Sequence, residues 1–293
     1  MIKTGIFKLR DPFVLEAENC YYIYGTDTSS GGWEDTRWGC YRSVGKTLTG
    51  RWEKLKEVYI RPKDAEKNFW APEVHKYKGS YYMLASYYSR ETRHRGCAVL
   101  RSDSPEGPFT EISNGHFTPR EWDAIDATLY IDGEGTPWTV FVHEWTCTED
   151  GIGRMVAARL SEDLTRLCSE PKELFRADDA PWANYQVTDG PFLYNSPSTG
   201  LLMLWSNSHN GEYRVGLARS RDGRVDGEWE QLPLSLYEKA TGGLDGGHGM
   251  LFRTGEGLYM AIHSPNDLSG GLSEEAVIIP VSEREGRIFC EVE

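Results

Sequence analysis

Apolar residues along this chain either alternate with polar ones or gather in runs of four to six, and no long stretch keeps the 3.6-residue period of an amphipathic helix. Five of these runs repeat one another: Tyr21-Tyr22-Ile23-Tyr24, Tyr81-Tyr82-Met83-Leu84, Trp138-Thr139-Val140-Phe141, Leu201-Leu202-Met203-Leu204 and Leu258-Tyr259-Met260-Ala261. Counted at Tyr22, Tyr82, Val140, Met203 and Met260, they are 60, 58, 63 and 57 residues apart. An interval near 60 is too long for one hairpin and suits a four-stranded blade with generous loops. The pattern therefore predicts an all-β, five-bladed β-propeller with few helices, each repeated run reading as the third strand of its blade.

A second echo follows most of the runs. Arg42-Ser43 leads through Leu48 and Gly50 to Trp52, Arg101-Ser102 through Pro105 and Gly107 to Phe109, Arg159-Leu160 through Leu164, and Arg219-Ser220 through Gly227 to Trp229. Each reads as a strand, a polar reversal built on turn formers, and in most cases an aromatic ring that can cover the blade edge. The blades fall near residues 16–65, 66–120, 121–180, 181–240 and 241–284, after a lead-in strand within residues 1–15. Arg287-Ile288-Phe289-Cys290 is expected to return beside that first segment and close the ring, removing exposed sheet edges. No linker interrupts the pattern, so residues 1–293 read as a single catalytic propeller domain.

Charge and composition narrow the function. A net charge of −13 and a pI near 5.1 disfavour nucleic acid and anionic membrane as partners. They leave a neutral oligosaccharide or polysaccharide open, and the aromatic content of 12%, with 10 Trp and 16 Tyr, supplies surfaces for both core packing and sugar stacking. The six cysteines are scattered without zinc spacing and read as reduced, mostly buried thiols. The seven histidines form no HExxH pair, which argues against a zinc hydrolase. The chain opens without the apolar run of a signal peptide and holds no 18-residue apolar stretch, so cytoplasmic residence is expected, or a periplasmic or secreted one if a leader has been removed.

Three acids begin extended strands beside tightly shaped turns: Asp11 in Arg10-Asp11-Pro12-Phe13, Asp126 in Ala124-Ile125-Asp126-Ala127, and Asp189 in Thr188-Asp189-Gly190-Pro191. Alone, each reads as a turn cap. They precede the repeated runs by similar intervals, however, and equivalent positions of different blades converge on a propeller axis. Three acids far apart in sequence can thus line one pocket.

These segments, together with Phe69-Trp70-Ala71-Pro72-Glu73-Val74, Gly246-Gly247-His248-Gly249-Met250 and His263-Ser264-Pro265-Asn266, resemble glycoside hydrolase family 43 over nearly the whole chain. The resemblance implies an inverting glycosidase that releases a pentose. Asp11 would be the general base, Asp126 the carboxylate that positions and tunes the acid, and Asp189 the acid. It also implies a cation, calcium in many members, near the axis by His248, although the chemistry itself requires none. A lone histidine is a poor ligand for so hard an ion, so a metal-free hydrogen-bonding role for His248 stands beside it.

Two positions depart from the family pattern. Asp189 replaces the usual Glu of a Glu-Gly-Pro triplet, and Ala127 replaces the Pro that often follows the tuning Asp. Losing a methylene shortens the acid's reach by about 1.5 Å, so Glu144, at the end of the third repeated run, is an alternative acid whose structural role would be pairing with Arg154 or His143. Trp70 could wall the sugar pocket and Glu73 could bind its hydroxyls; both could equally be structural. The activity expected is that of an α-L-arabinofuranosidase on plant-type saccharides, with β-xylosidase or arabinan and galactan hydrolases as alternatives and a non-catalytic carbohydrate-binding propeller as a different class. A protein-interaction propeller would not need three acids at blade starts.

Overall fold

The computed structural model describes residues 1–267, 269, 273–284 and 286–292. After β1 (Ile2–Phe7), the first blade is β2 (Leu9–Glu16), β3 (Tyr21–Asp27), β4 (Arg37–Ser43) and β5 (Trp52–Lys54). The second is β6 (Ala65–Tyr77), β7 (Ser80–Ser89), β8 (Arg95–Ser102) and β9 (Thr110–Glu111), and the third is β10 (Ala124–Ile131), β11 (Pro137–His143), β12 (Arg154–Arg159) and β13 (Lys172–Arg176). The fourth is β14 (Asp189–Ser196), β15 (Gly200–His209), β16 (Glu212–Ser220) and β17 (Trp229–Gln231). The fifth combines β18 (Gly247–Thr254), β19 (Gly257–Ser264) and β20 (Glu275–Arg284) with β1 as its outer strand. Five antiparallel sheets arranged as blades confirm the predicted propeller. The helical content among the described residues is one turn of α-helix, Lys239–Gly242, and two 3-10 turns, and no helix is long and apolar enough to cross a membrane.

Two expectations are corrected. The repeated runs lie in the second strand of each blade, not the third: β3, β7, β11, β15 and β19. Those strands are hydrogen-bonded on both edges and covered on both faces, which is why they read as continuous apolar runs. Ring closure falls to β1, whose Ile2 and Lys3 pair with Ile278 and Val277, whereas β21 (Arg287–Cys290) pairs with the other half of the same edge, Val281 to Arg284. The amino-terminal segment thus supplies two strands, one in the last blade and the innermost one of the first.

The core consists of wedges between blades. Tyr24, Met83 and Leu100 pack between the first and second, Leu84, Val99, Leu129 and Phe141 between the second and third, Val140, Met155, Met203 and Trp205 between the third and fourth, and Leu204, Leu217, Met260 and Ile279 between the fourth and fifth. All six cysteines are free; Cys40 and Cys97 are buried, whereas Cys168 is exposed.

Candidate active site

Each innermost strand carries the same irregularity near its start. Between Arg10 and Phe13, Trp70 and Glu73, Ile125 and Thr128, Asp189 and Phe192, and Gly247 and Met250, three steps along the inner strand face two along its neighbour, a β-bulge. One residue in each bulge adopts the left-handed conformation: Asp11 (φ 53°), Ala71 (41°), Asp126 (56°), Gly190 (53°) and His248 (55°). For non-glycine residues that backbone costs on the order of 1–3 kcal/mol and persists only where neighbours enforce it.

The enforcement comes from the adjacent blade. Thr26 Oγ1 accepts the Ala71 N–H at 2.8 Å, Ser86 Oγ that of Asp126 at 3.0 Å, Ser206 Oγ that of His248 at 2.8 Å, and His263 Nδ1 that of Asp11 at 3.3 Å. All four acceptors lie on second strands, opposite the residue that opens the preceding bulge. In the third blade that place is held by Val142, which has no acceptor, and Asp126 Oδ2 takes the Gly190 N–H instead at 3.0 Å. A catalytic-type carboxylate therefore also fastens the next blade. Gly190 is required where it stands, because a Cβ there would lie 2.8 Å from His248 Cγ.

The bulges bring their residues to one cleft of about 150 Å³, bordered by Asp11, Asp126, Asp189, Glu144, Trp70 and His248 together with Arg10, Thr26, Trp33, Ile125 and Tyr213. Asp189 precedes the left-handed residue of its bulge, so its counterparts are Arg10, Trp70, Ile125 and Gly247, not Asp11 and Asp126. Equivalence of the three acids is thus corrected to two shared positions and one offset by a residue. Glu73 does not border the cleft; its carboxylate is 2.9 Å from His75 Nε2. Trp70 does, with its indole N–H bonded to the Trp33 carbonyl at 3.0 Å. Glu144 pairs with Arg95 from the start of β8, and not with Arg154 or His143.

The charges divide the acids. Burial alone would raise the pKa of Asp11, but the imidazole of His248, whose Nδ1 is 3.1 Å from Oδ1, and the cation of Arg10 outweigh it and hold Asp11 far below the usual carboxylate range. Thr26 completes its shell, donating to Oδ2 at 2.6 Å. His248 is the reciprocal case: burial opposes its charge, but Asp11, Asp126 and Asp189 prevail and raise it to about 9. Burial lifts Asp126 to about 7 against the opposing pull of His248, with repulsion from Asp189 and Asp11 adding to the rise. Asp189 is also raised, mainly by burial, although Tyr213 O–H donates to its Oδ2 at 3.0 Å. Glu144 is raised by burial to about 7 despite Arg95. One carboxylate stays ionised while others keep a proton toward neutrality, which is what paired acid and base catalysis needs.

No group of three or more His, Cys, Asp or Glu side chains among the described residues could hold a metal ion. His248, expected beside a cation, commits Nδ1 to Asp11. No step below passes through an ion.

Arg10, Thr26, Trp33 and Tyr213 were not singled out by sequence. Arg10 stands inside a quoted motif, and the hydroxyls of Thr26, Ser86 and Ser206 each follow the apolar run of a second strand by two residues. That spacing was a usable signal. Trp33 lies in the connection at residues 28–36, and nothing periodic marks it.

A five-bladed propeller whose inner strands gather carboxylates of opposed protonation in one small cleft defines a glycosidase-type protein. The chain belongs to glycosyl hydrolases family 43, whose profile matches residues 5–286, and it is an enzyme that hydrolyses glycosidic bonds. Over 90% of its length it is 24% identical to the probable arabinan endo-1,5-alpha-L-arabinosidase C of Aspergillus niger, covering 85% of that protein. The crystal structure of an endo-arabinase from Bacteroides thetaiotaomicron is similar across 98% of this chain and 99% of its own, with 35% identity and a TM-score of 0.83. An alpha-L-arabinofuranosidase from Lactobacillus brevis shares the fold at a TM-score of 0.76 and 15% identity, covering 100% of this chain and 96% of its own.

Proposed function

We propose that the protein cleaves α-L-arabinofuranosidic bonds with inversion, releasing arabinose from arabino-oligosaccharides. The observation that carries the reading is the convergence of Asp11, Asp126 and Asp189 on one cleft, with Asp11 held ionised and Asp189 held toward its protonated form. Asp11 draws the proton from a water attacking the anomeric carbon. Asp189 donates to the departing oxygen, and Asp126, itself raised to about 7, disfavours ionisation of Asp189 whenever it carries its charge. His248 and Thr26 orient the base. Trp33 and Trp70 offer rings for the sugar to stack on. The 35% identity to an endo-arabinase supports arabinosides over xylosides. Six free cysteines support residence in a reducing compartment, which suits imported oligosaccharides.

Two further readings each rest on an observation. Glu144 borders the same cleft with its pKa raised to about 7, which suits a general acid at neutral pH. Internal cleavage of arabinan is supported by the relatives' names. Early products from linear arabinan and from short arabino-oligosaccharides decide this last point: arabinose alone supports terminal release, a ladder of oligomers supports internal cleavage, and activity on xylosides alone would replace the arabinoside reading.

A further inference from the structure

Arg10 borders the cleft one residue before Asp11 and is unusually constrained for an arginine. Its guanidinium carbon lies 4.2 Å from the centroid of a Trp33 ring. Nη1 is paired with Glu274, and both Nη1 and Nη2 are 3.4 Å from Asn266 Oδ1. Nε is 3.9 Å from Asp11 Oδ1, close enough to feel its charge but too far for a hydrogen bond. A guanidinium carries five N–H donors in a rigid plane, so among the described residues the Nε–H and an Nη2–H remain uncommitted beside the cleft.

Glu274 has no exposed surface, and its Oε1 also accepts the Asp267 N–H at 2.7 Å, while Oε2 has no partner among the described residues. Burying an ion pair this deeply is a poor way to gain stability, since apolar residues of the same volume commonly do as well or better. What it does provide is direction. Glu274 from one side, Asn266 from another and the Trp33 ring across the plane leave the fork one orientation, and a preorganised fork loses little entropy when it binds two oxygens at once. Neighbouring hydroxyls of a sugar ring present such a pair.

We infer that Arg10 binds two adjacent hydroxyls of a neutral sugar in the cleft, and that Glu274 is the positioning residue that aims its guanidinium. This rests on reading the cleft as a pentoside site. The fork is used in binding substrate and transition state alike, so its loss appears in KM more than in kcat.

The test compares Arg10→Lys, Glu274→Gln and the double variant, on whichever arabinoside or xyloside the parent cleaves, with folding checked by circular dichroism. A charge-assisted hydrogen bond lost from the site corresponds to roughly a ten- to hundredfold rise in KM. Glu274→Gln is expected to raise KM about tenfold with kcat changed less than about threefold. In the Arg10→Lys background the same change is expected to add nothing. An unchanged KM in Glu274→Gln, or multiplication of the two effects in the double variant, overturns the inference. If Glu274→Gln does not fold, Asn266→Ala takes its place with the same expected rise and the same overturning results. If the parent cleaves neither glycoside, the pentosidase reading fails by itself, and calorimetric titration with arabinotriose and xylotriose decides: weaker binding in the variants upholds the role of Arg10 and Glu274, while equal binding, or none by the parent, overturns it.

Discussion

At the scale of single residues, the cleft separates chemically similar carboxylates by their company. Asp11 faces His248, Arg10 and the Thr26 hydroxyl, all of which favour its charge, whereas Asp189 gains its proton affinity mainly from burial. Replacing Asp11 by Ala is expected to lower hydrolysis by about 10²- to 10⁴-fold with the fold intact, as loss of a general base should; a purified variant that keeps more than about a tenth of the parent rate would remove Asp11 from that role. The acid is separated from Glu144 by the leaving group. A departing sugar oxygen needs a proton and a nitrophenolate does not, so Asp189→Ala is expected to impair oligosaccharide cleavage severely and aryl glycoside cleavage mildly, while Glu144→Ala slows both alike. The pH profile carries a sign as well. An acid whose pKa is raised works while protonated, so parent activity falls as pH climbs through that raised value, and Asp189→Ala should lose this alkaline limb. The opposite pattern in the two variants assigns the proton to Glu144.

At the scale of elements, the bulge is the functional unit. It turns an inner strand's residue toward the axis, and a side chain from the neighbouring blade holds its N–H. Thr26 does this for Ala71 while donating to Asp11, and so joins two blades and the base through one hydroxyl. Thr26→Val keeps the shape and removes both bonds. It leaves a buried N–H unsatisfied, expected to cost about 1–3 kcal/mol and lower the melting temperature by several degrees, with Thr26→Ser restoring most of it; an unchanged melting temperature in the valine variant would show that the bulge holds without its clasp. The sequence made the strands legible because each second strand is buried on both faces and reads as an uninterrupted apolar run. It did not make the bulges legible. The residues facing Phe13, Thr128 and Phe192 are Tyr24, Val140 and Leu204, so counting back from the non-equivalent Tyr22, Val140 and Met203 matched Asp189 with Asp11 and Asp126 when Gly190 is the true counterpart. Of the two roles open to Glu73, its place favours the structural one: it stands two residues after the left-handed Ala71, where Phe13, Thr128 and Phe192 stand in other blades.

At the scale of the molecule, five-fold repetition has been spent unevenly. The bulge positions of four blades serve the cleft through Asp11, Asp126, His248 and the Gly190 that makes room for His248, while the second blade contributes Trp70 beside an Ala71 that carries no chemistry. The period and the polar motifs were enough to recognise the architecture and the four acids that border the cleft, Asp11, Asp126, Asp189 and Glu144. Trp33 and Arg95 were beyond reach because each enters from or next to a connection whose path depends on other blades, held by Trp70 in one case and paired with Glu144 in the other. Closure by β1 was hidden because two strands compete for the edge of β20 and the amino-terminal one takes the half nearer the cleft-side end of the strand. In the proposed mechanism the ring sets an ionised base and a protonated acid on different blades, and inversion calls for roughly 6.5–9.5 Å between them to hold the attacking water. The anomer released first reports on that placement directly. Proton NMR of an arabino-oligosaccharide digest at early times, before mutarotation, should show the anomeric signal of the inverted product; initial appearance of the retained anomer would mean a covalent intermediate, which needs carboxyls only about 5–5.5 Å apart, and would contradict the water-mediated displacement by Asp11.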